Sequence, residues 1–181
     1  KVLTYWNGLM IAALAKGAQA LGEPAYFRAA EAAALFILDK LRDDRGRLFH
    51  RYRDGETAVM AKADDYAFLT WGLLDLYEAT FEIRYLQTAL ELTQDLFGHF
   101  WDEGNGGLFM TADDDEILVA RPKEVYDGAL PSANSVAMLN LLRLGRMTAN
   151  PALEARAVSI GRALAGDVKQ TPSAYTQLLL A

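Results

Sequence analysis

Apolar residues are arranged in two alternating styles along the chain. Residues 9–15 (LMIAALA), 67–74 (AFLTWGLL) and 136–142 (VAMLNLL) are apolar around most of a helical circumference. A helix of that kind is a buried one. Each is followed by an amphipathic segment. In residues 26–41, Tyr26, Ala29, Ala30, Ala33, Phe36 and Ile37 follow the i, i+3, i+4, i+7 spacing, with Arg28, Glu31 and Asp39 on the other faces. Residues 85–97 behave similarly. Glu23-Pro24 and Asn150-Pro151 place proline in the first turn of the second helix, where it is tolerated.

These pairs form a repeat. Superposing Asn7, Tyr66 and Asn134 aligns three segments without gaps, at offsets of 59 and 68 residues. Leu14, Leu73 and Leu141 then coincide, as do Leu9, Phe68 and Val136. So do Ala30, Ala89 and Ala157, and Ile37, Leu96 and Leu164. The predicted units are helical hairpins over about 4–41, 64–99 and 132–166, with the start of another at 172–181, within one domain spanning 1–181. Each hairpin pairs an inner, buried helix with an outer, half-exposed one, and stacked hairpins make a solenoid or a ring. The links between hairpins are long and gather at one end, the usual place for a site. Short strands are expected in them, at 47–53 (RLFHRYR), 107–111 and 117–120.

Composition supports an all-α class. Of 181 residues, Ala is 30 and Leu 28, against 7 Val and 5 Ile. A net charge of −6 without a dense Lys/Arg run argues against nucleic acid. No apolar run reaches membrane-span length. Zero Cys removes thiol chemistry and thiolate zinc sites, and two His make a histidine-rich metal site improbable. No metal or cofactor is expected, and no secretory leader is visible. The expected location is cytoplasmic. The start at Lys1 reads as a shortened chain.

Candidate chemistry gathers where the inner helices begin. Trp6, Tyr66 and Trp101, with Tyr126, offer flat apolar surfaces; Asp64, Asp65, Glu124 and Asp127 offer carboxylates. Helix N-termini there favour electron-rich groups. Aromatic platforms beside carboxylates suit a polyol such as a sugar. Asn7, Asp64, Arg121, Lys123, Ser132 and Asn134 complete the expected binding set, with Asp65 and Asp127 as first acid/base candidates and His50 as second. Simpler roles compete. Asp and Ser are preferred N-caps, although two adjacent aspartates cannot both cap, so one of Asp64 and Asp65 is spare. Trp71 and Tyr77 read as core. Arg121, Lys123, Glu124 and Asp127 could hold a long loop by ion pairs, the commoner case. His99 reads as a bystander, and residues 113–116 as a solvated turn without calcium-loop spacing.

The stretches KVLTYWNGLMIAALAKG, DDYAFLTWGLLDLYEAT, FWDEGNGGLF and RPKEVYDGALPSANSVAMLNLLRL resemble the spermatogenesis-associated, thioredoxin-domain-containing protein family, along the whole chain. The resemblance implies a parent with an N-terminal thioredoxin-like domain and a six-hairpin α/α toroid similar to that of N-acylglucosamine 2-epimerases. This chain would be a C-terminal part of that toroid, about three and a half hairpins. It departs from the pattern at Trp6, where members often carry a small residue, and it matches no epimerase histidine motif. Two functions follow as expectations. One is a carbohydrate pocket, isomerase/epimerase-like or glycosidase-like. The other is a non-catalytic scaffold for a partner protein or for the parent's thioredoxin-like domain. Exposed end hairpins also predict self-association.

Overall fold

A computed structural model describes residues 1–115 and 120–181. Three helical hairpins carry the fold. They are α1 (Thr4–Leu21) with α2 (Pro24–Lys40), α3 (Ala63–Thr80) with α4 (Ile83–Phe100), and α5 (Ala133–Thr148) with α6 (Pro151–Gln170). A single 3-10 turn (Pro172–Ala174) and the short α7 (Thr176–Leu180) follow them. Strands β1 (Val2–Leu3), β2 (Phe49–Arg53) and β3 (Glu56–Met60) form one antiparallel sheet in that order. The all-α class with a β-hairpin in a long link is therefore the observed one. The strand expected at 117–120 lies almost wholly outside the described residues.

The links within hairpins have a common construction. Glu23 and Asn150 each accept the N–H of the residue two positions on, with proline in the first turn. The preceding helices end on Gly22 (φ 64), Phe81 (φ 57) and Ala149 (φ 51), all left-handed, and each donates its N–H to the carbonyl four residues back. These three positions are equivalent under the repeat offsets. The turn geometry repeats, although glycine is present at only the first.

The chain divides into two compact units, Lys1–Leu96 and Phe97–Ala181, with α4 running through the boundary. In the first, α3 is the central element. Its Tyr66, Phe68, Leu69, Leu73, Leu74 and Leu76 are each at most 1% exposed. Burying one such side chain stabilises by about 1.5–3 kcal/mol. Helix α1 crosses α3 with backbones in contact: a Cβ on Gly8 would sit 2.4 Å from the Phe68 carbonyl carbon, and one on Gly72 2.6 Å from the Gly8 oxygen. No other residue type fits that crossing. The outer face of α2 is exposed, and Ala30, Ala34 and Ile37 are fully buried. In the second unit α5 packs on α6, and α7 on α5; Val136, Leu144, Ala157 and Ile160 form its core.

Two sequence expectations change. Helix α1 is not buried all round: it buries only a stripe, Thr4, Gly8, Ile11, Ala12 and Ala15, and leaves Trp6 and Met10 each 56% exposed. Within its unit it is covered on the side facing α3 and α2 alone. Trp71 and Tyr77 are half-buried rather than core, because α3 also has a side that no described element of this unit fully covers.

Candidate functional site

In the first unit the site residues converge on the carboxylate of Asp65. This side chain is fully buried in the first turn of α3. Its Oδ1 accepts the Tyr5 N–H at 3.0 Å, and its Oδ2 accepts the Lys62 N–H at 2.9 Å. His50 on β2 places Nδ1 2.9 Å from Oδ2. One carboxylate thereby joins the starts of α1 and α3 to the sheet. Thr4 Oγ1 adds a second tie, donating to the Phe49 carbonyl at 2.6 Å. The sheet is what brings His50 here: β1 pairs with β2 at Val2–Tyr52 and Leu3–Arg51, so the entry to α1 and the His50 strand are one piece.

The local chemistry follows from this packing. The Tyr5 ring stacks on the His50 ring, centroids 5.4 Å apart and planes 18° from parallel, and tilts against Trp6 at 5.6 Å. The hydrogen bond to Asp65 raises the pKa of His50 above its ordinary value, against a smaller opposing effect of burial. Burial pushes the Asp65 carboxyl up, opposed by His50 and the two backbone N–H groups. The two backbone N–H groups are fixed donors, and His50 joins them in the tautomer or charge state that carries a proton on Nδ1, the pattern an ionised carboxylate needs. Asp64 is pushed up to about 6, first by burial and then by the charge of Asp65 beside it. Its Oδ1 accepts the Asp65 N–H at 2.9 Å. Neither aspartate is the N-cap, a position held by Lys62. Both contact backbone in the first turn, which corrects the reading of one cap and one spare.

Not every candidate of this unit faces the cluster. Tyr66 is fully buried, and its hydroxyl accepts from Leu48 N–H at 3.0 Å and Arg47 Nε at 3.3 Å. It fastens the loop before β2. Asn7 Nδ2 donates to the Leu3 carbonyl at 2.8 Å, within its own helix start.

In the second unit the candidates fasten the long link between α4 and α5. Asn134 reads both backbone groups of Leu108, at 2.7 and 3.0 Å, and donates to the Glu124 carbonyl. Lys123 Nζ lies 2.6 Å from Asp102 Oδ2 and donates to the Gly106 carbonyl. That lysine, followed by loop N–H groups, holds the Asp102 carboxyl well below the usual range. Arg121 donates to the carbonyls of His99 and Thr111 and lies over the Phe109 ring, 4.4 Å from its centroid. Asp127 is buried, and accepts the N–H groups of Ser132 (2.8 Å), Gln177 (2.9 Å) and Leu178 (3.1 Å), tying α7 to the start of α5. The Ser132 hydroxyl caps α5 by accepting the Ser135 N–H at 3.1 Å. Tyr126 is 60% exposed.

Trp101 stands apart from these. It packs edge-on against Phe97 and under the Arg156 guanidinium, 4.5 Å from the ring centroid. It lines a cavity of about 670 Å³ with Asp102, Glu103, Arg156, Ser159 and Arg162. Arg156 and this cavity were not foreseen, because the α6 residues carry no motif. Tyr5 was also missed; only its neighbour Trp6 stood out as an aromatic. Among the described residues, one group of three brings a ligand atom from each within 4.8 Å of the others: His99, Asp113 and Asp114.

No family model matches the chain. Individual relatives do. Spermatogenesis-associated protein 20 of mouse is 36% identical over 191 aligned residues, covering 99% of this chain and 24% of the relative. The human protein of that name is 35% identical over 100% of this chain and 24% of its own length. The chain's homologues along its whole length are thus spermatogenesis-associated protein 20 sequences. The chain spans about a quarter of the length of those relatives. A Caenorhabditis elegans protein is 41% identical over 80% of this chain and 20% of its own. Solved structures of similar fold include cellobiose 2-epimerase from Spirochaeta thermophila (TM-score 0.71, 18% identity, 87% of this chain and 41% of that one). A D-mannose isomerase has a TM-score of 0.72 at 15% identity, over 90% and 40%. The GH76 α-mannanase of Bacteroides thetaiotaomicron has 0.72 at 15%, over 92% and 46%. At these identities the likeness is one of fold: the chain has the fold of part of an (α/α)6 toroid. No helix of the described residues is long and apolar enough to cross a membrane.

Proposed function

We propose that this chain contributes to a sugar-type binding site and that His50, oriented by Asp65, is its proton-transfer group. The observation that carries the reading is the 2.9 Å contact between His50 Nδ1 and a fully buried carboxylate. An Nδ1–H donated to Asp65 fixes the tautomer and leaves Nε2 as the nitrogen that exchanges a proton. Asp64, whose pKa burial and the Asp65 charge push up to about 6, is a second group able to change protonation near neutrality. The exposed ring of Trp6 and the edge of Tyr5 offer apolar surface for the CH face of a sugar ring. The sugar-processing neighbours of the fold support the ligand class by analogy only.

Calorimetry with a panel of aldoses, disaccharides and uronic acids tests this, on this chain and on the longer parent protein. His50→Gln and Asp65→Asn are expected to weaken binding or turnover by about a hundredfold or more while the helical circular dichroism is retained. Failure of every sugar to bind at millimolar concentration overturns the reading.

The scaffold alternative has its own supporting observation. In the second unit, Arg121, Lys123, Asp127, Ser132 and Asn134 are engaged with backbone, which is the pattern of a structural fastener. If Asp65→Asn and Asp127→Asn both lower the melting temperature and neither changes ligand binding, the scaffold reading replaces the first.

A further inference from the structure

We propose that His99, Asp113 and Asp114 form a site for a divalent transition-metal ion, independent of the His50 cluster. His99 lies in the last turn of α4, and its Nδ1 is 2.9 Å from Asp113 Oδ1 and 3.7 Å from Asp114 Oδ2. One ligand atom from each residue fits within a 4.8 Å span. An ion bound at about 2.1 Å separates neighbouring ligand atoms by about 3.0 Å at right angles and about 3.4 Å at the tetrahedral angle. The two separations from His99 Nδ1 bracket those edges, so small rotations of the two carboxylates would bring three ligand atoms to one ion.

The arrangement is also pinned. The Asp113 N–H donates to the His99 carbonyl at 3.0 Å, and Arg121 donates to the same carbonyl at 2.7 Å. The acidic turn is thereby fixed against the helix end in a set register. Charge points the same way. The negative end of an 18-residue helix and two carboxylates lie around one imidazole nitrogen, surroundings that favour a cation, and a bound ion would replace the proton that His99 Nδ1 shares with Asp113 Oδ1. The Arg121 guanidinium is engaged with the Thr111 and His99 carbonyls and the Phe109 ring.

One imidazole with two carboxylates selects the zinc and manganese class over calcium or magnesium, which prefer oxygen alone. All three side chains keep solvent exposure, leaving coordination positions for water or a ligand oxygen. A bound ion would fasten the long link after α4 to the helix that precedes it.

The chain has no Cys and only two His, which makes the test selective. Zinc chloride and manganese chloride are titrated calorimetrically into chelator-washed protein near neutral pH, beside His99→Gln, His50→Gln and the double variant Asp113→Asn/Asp114→Asn. The expected result is saturable binding of one ion per chain. His99→Gln and the double variant should weaken it by at least about tenfold, and His50→Gln should leave it unchanged. Acidification should release the ion, because the ligands must be deprotonated. Absence of saturable binding at millimolar metal overturns the proposal, as does binding that survives His99→Gln or follows His50. Because His50→Gln is read separately, failure here leaves the sugar-site reading standing, and the reverse.

Discussion

Asp64 and His50 both have raised pKa values, and their linkage to folding has the same sign. The Asp64 carboxyl is raised to about 6 from 3.8, so the folded chain binds that proton more tightly than the unfolded one. Stability therefore falls as pH rises between those two values, and the full cost of ionising a buried carboxyl is present above them. His50 is raised from 6.5, so its contribution is complete below that value and is lost as pH climbs through the folded pKa. Asp64→Asn removes the first term, while the amide oxygen can still accept the Asp65 N–H. The variant is expected to be more stable than the parent by on the order of 1–2 kcal/mol at about pH 8, after allowing for residual solvent screening, with the gain vanishing toward about pH 4. Urea midpoints at the two pH values check this. A pH-independent gain would show that packing, not charge, is the cause. At this scale the sequence was informative about residue types and silent about company. Asp64, Asp65 and His50 could be singled out because carboxylates and imidazole carry proton chemistry. Their meeting depends on β1, a strand of two residues with no periodicity to detect. Tyr66 looked like a lip residue by repeat position and is a fully buried loop fastener, because burial is decided by neighbours far along the chain.

The helical hairpins show where local signals suffice and where tertiary structure overrides them. The alternation of all-round apolar and amphipathic helices, with Glu23-Pro24 and Asn150-Pro151 as start signals, sets the hairpin order. The matching helix ends could not be read. A left-handed C-cap is announced by glycine, and glycine is present at Gly22 but absent at Phe81 and Ala149. The same close return of the second helix imposes the conformation on residues that resist it. Ala149 carries the cost most plainly: its side chain is exposed and gains nothing from packing. Ala149→Gly relieves a left-handed penalty of about 1–2 kcal/mol and loses some of it to the greater freedom of the unfolded glycine. A net gain of about 0.5–1 kcal/mol is expected from the shift in denaturant midpoint. A loss of stability would mean that this turn is relaxed with alanine in place.

For the whole molecule, the distribution of exposed apolar side chains is the feature that composition could not give. Trp6 and Met10 share one face of α1 at i, i+4 spacing and are each 56% exposed, while Leu179 and Leu180 at the other end of the chain are 59% and 75% exposed. Exposed apolar surface scattered singly is ordinary; a helix face that presents a tryptophan and a methionine together is a candidate for burial against another surface. In a chain covering about a quarter of its relatives' length, the same faces in the longer proteins can be covered by further chain. A second copy is the cover that a solution experiment on this chain can test. Because the two apolar ends differ, contact between unlike ends is head-to-tail and can continue beyond a dimer. The expected result is a mass by light scattering that rises above that of one chain with concentration. The double variant Trp6→Ser/Met10→Ser should shift it back toward 20.0 kDa. Trp6 also neighbours the His50 cluster, so Met10→Ser alone serves as the variant that separates association from ligand binding. A concentration-independent monomer for the parent chain would show that these side chains are simply tolerated at the surface.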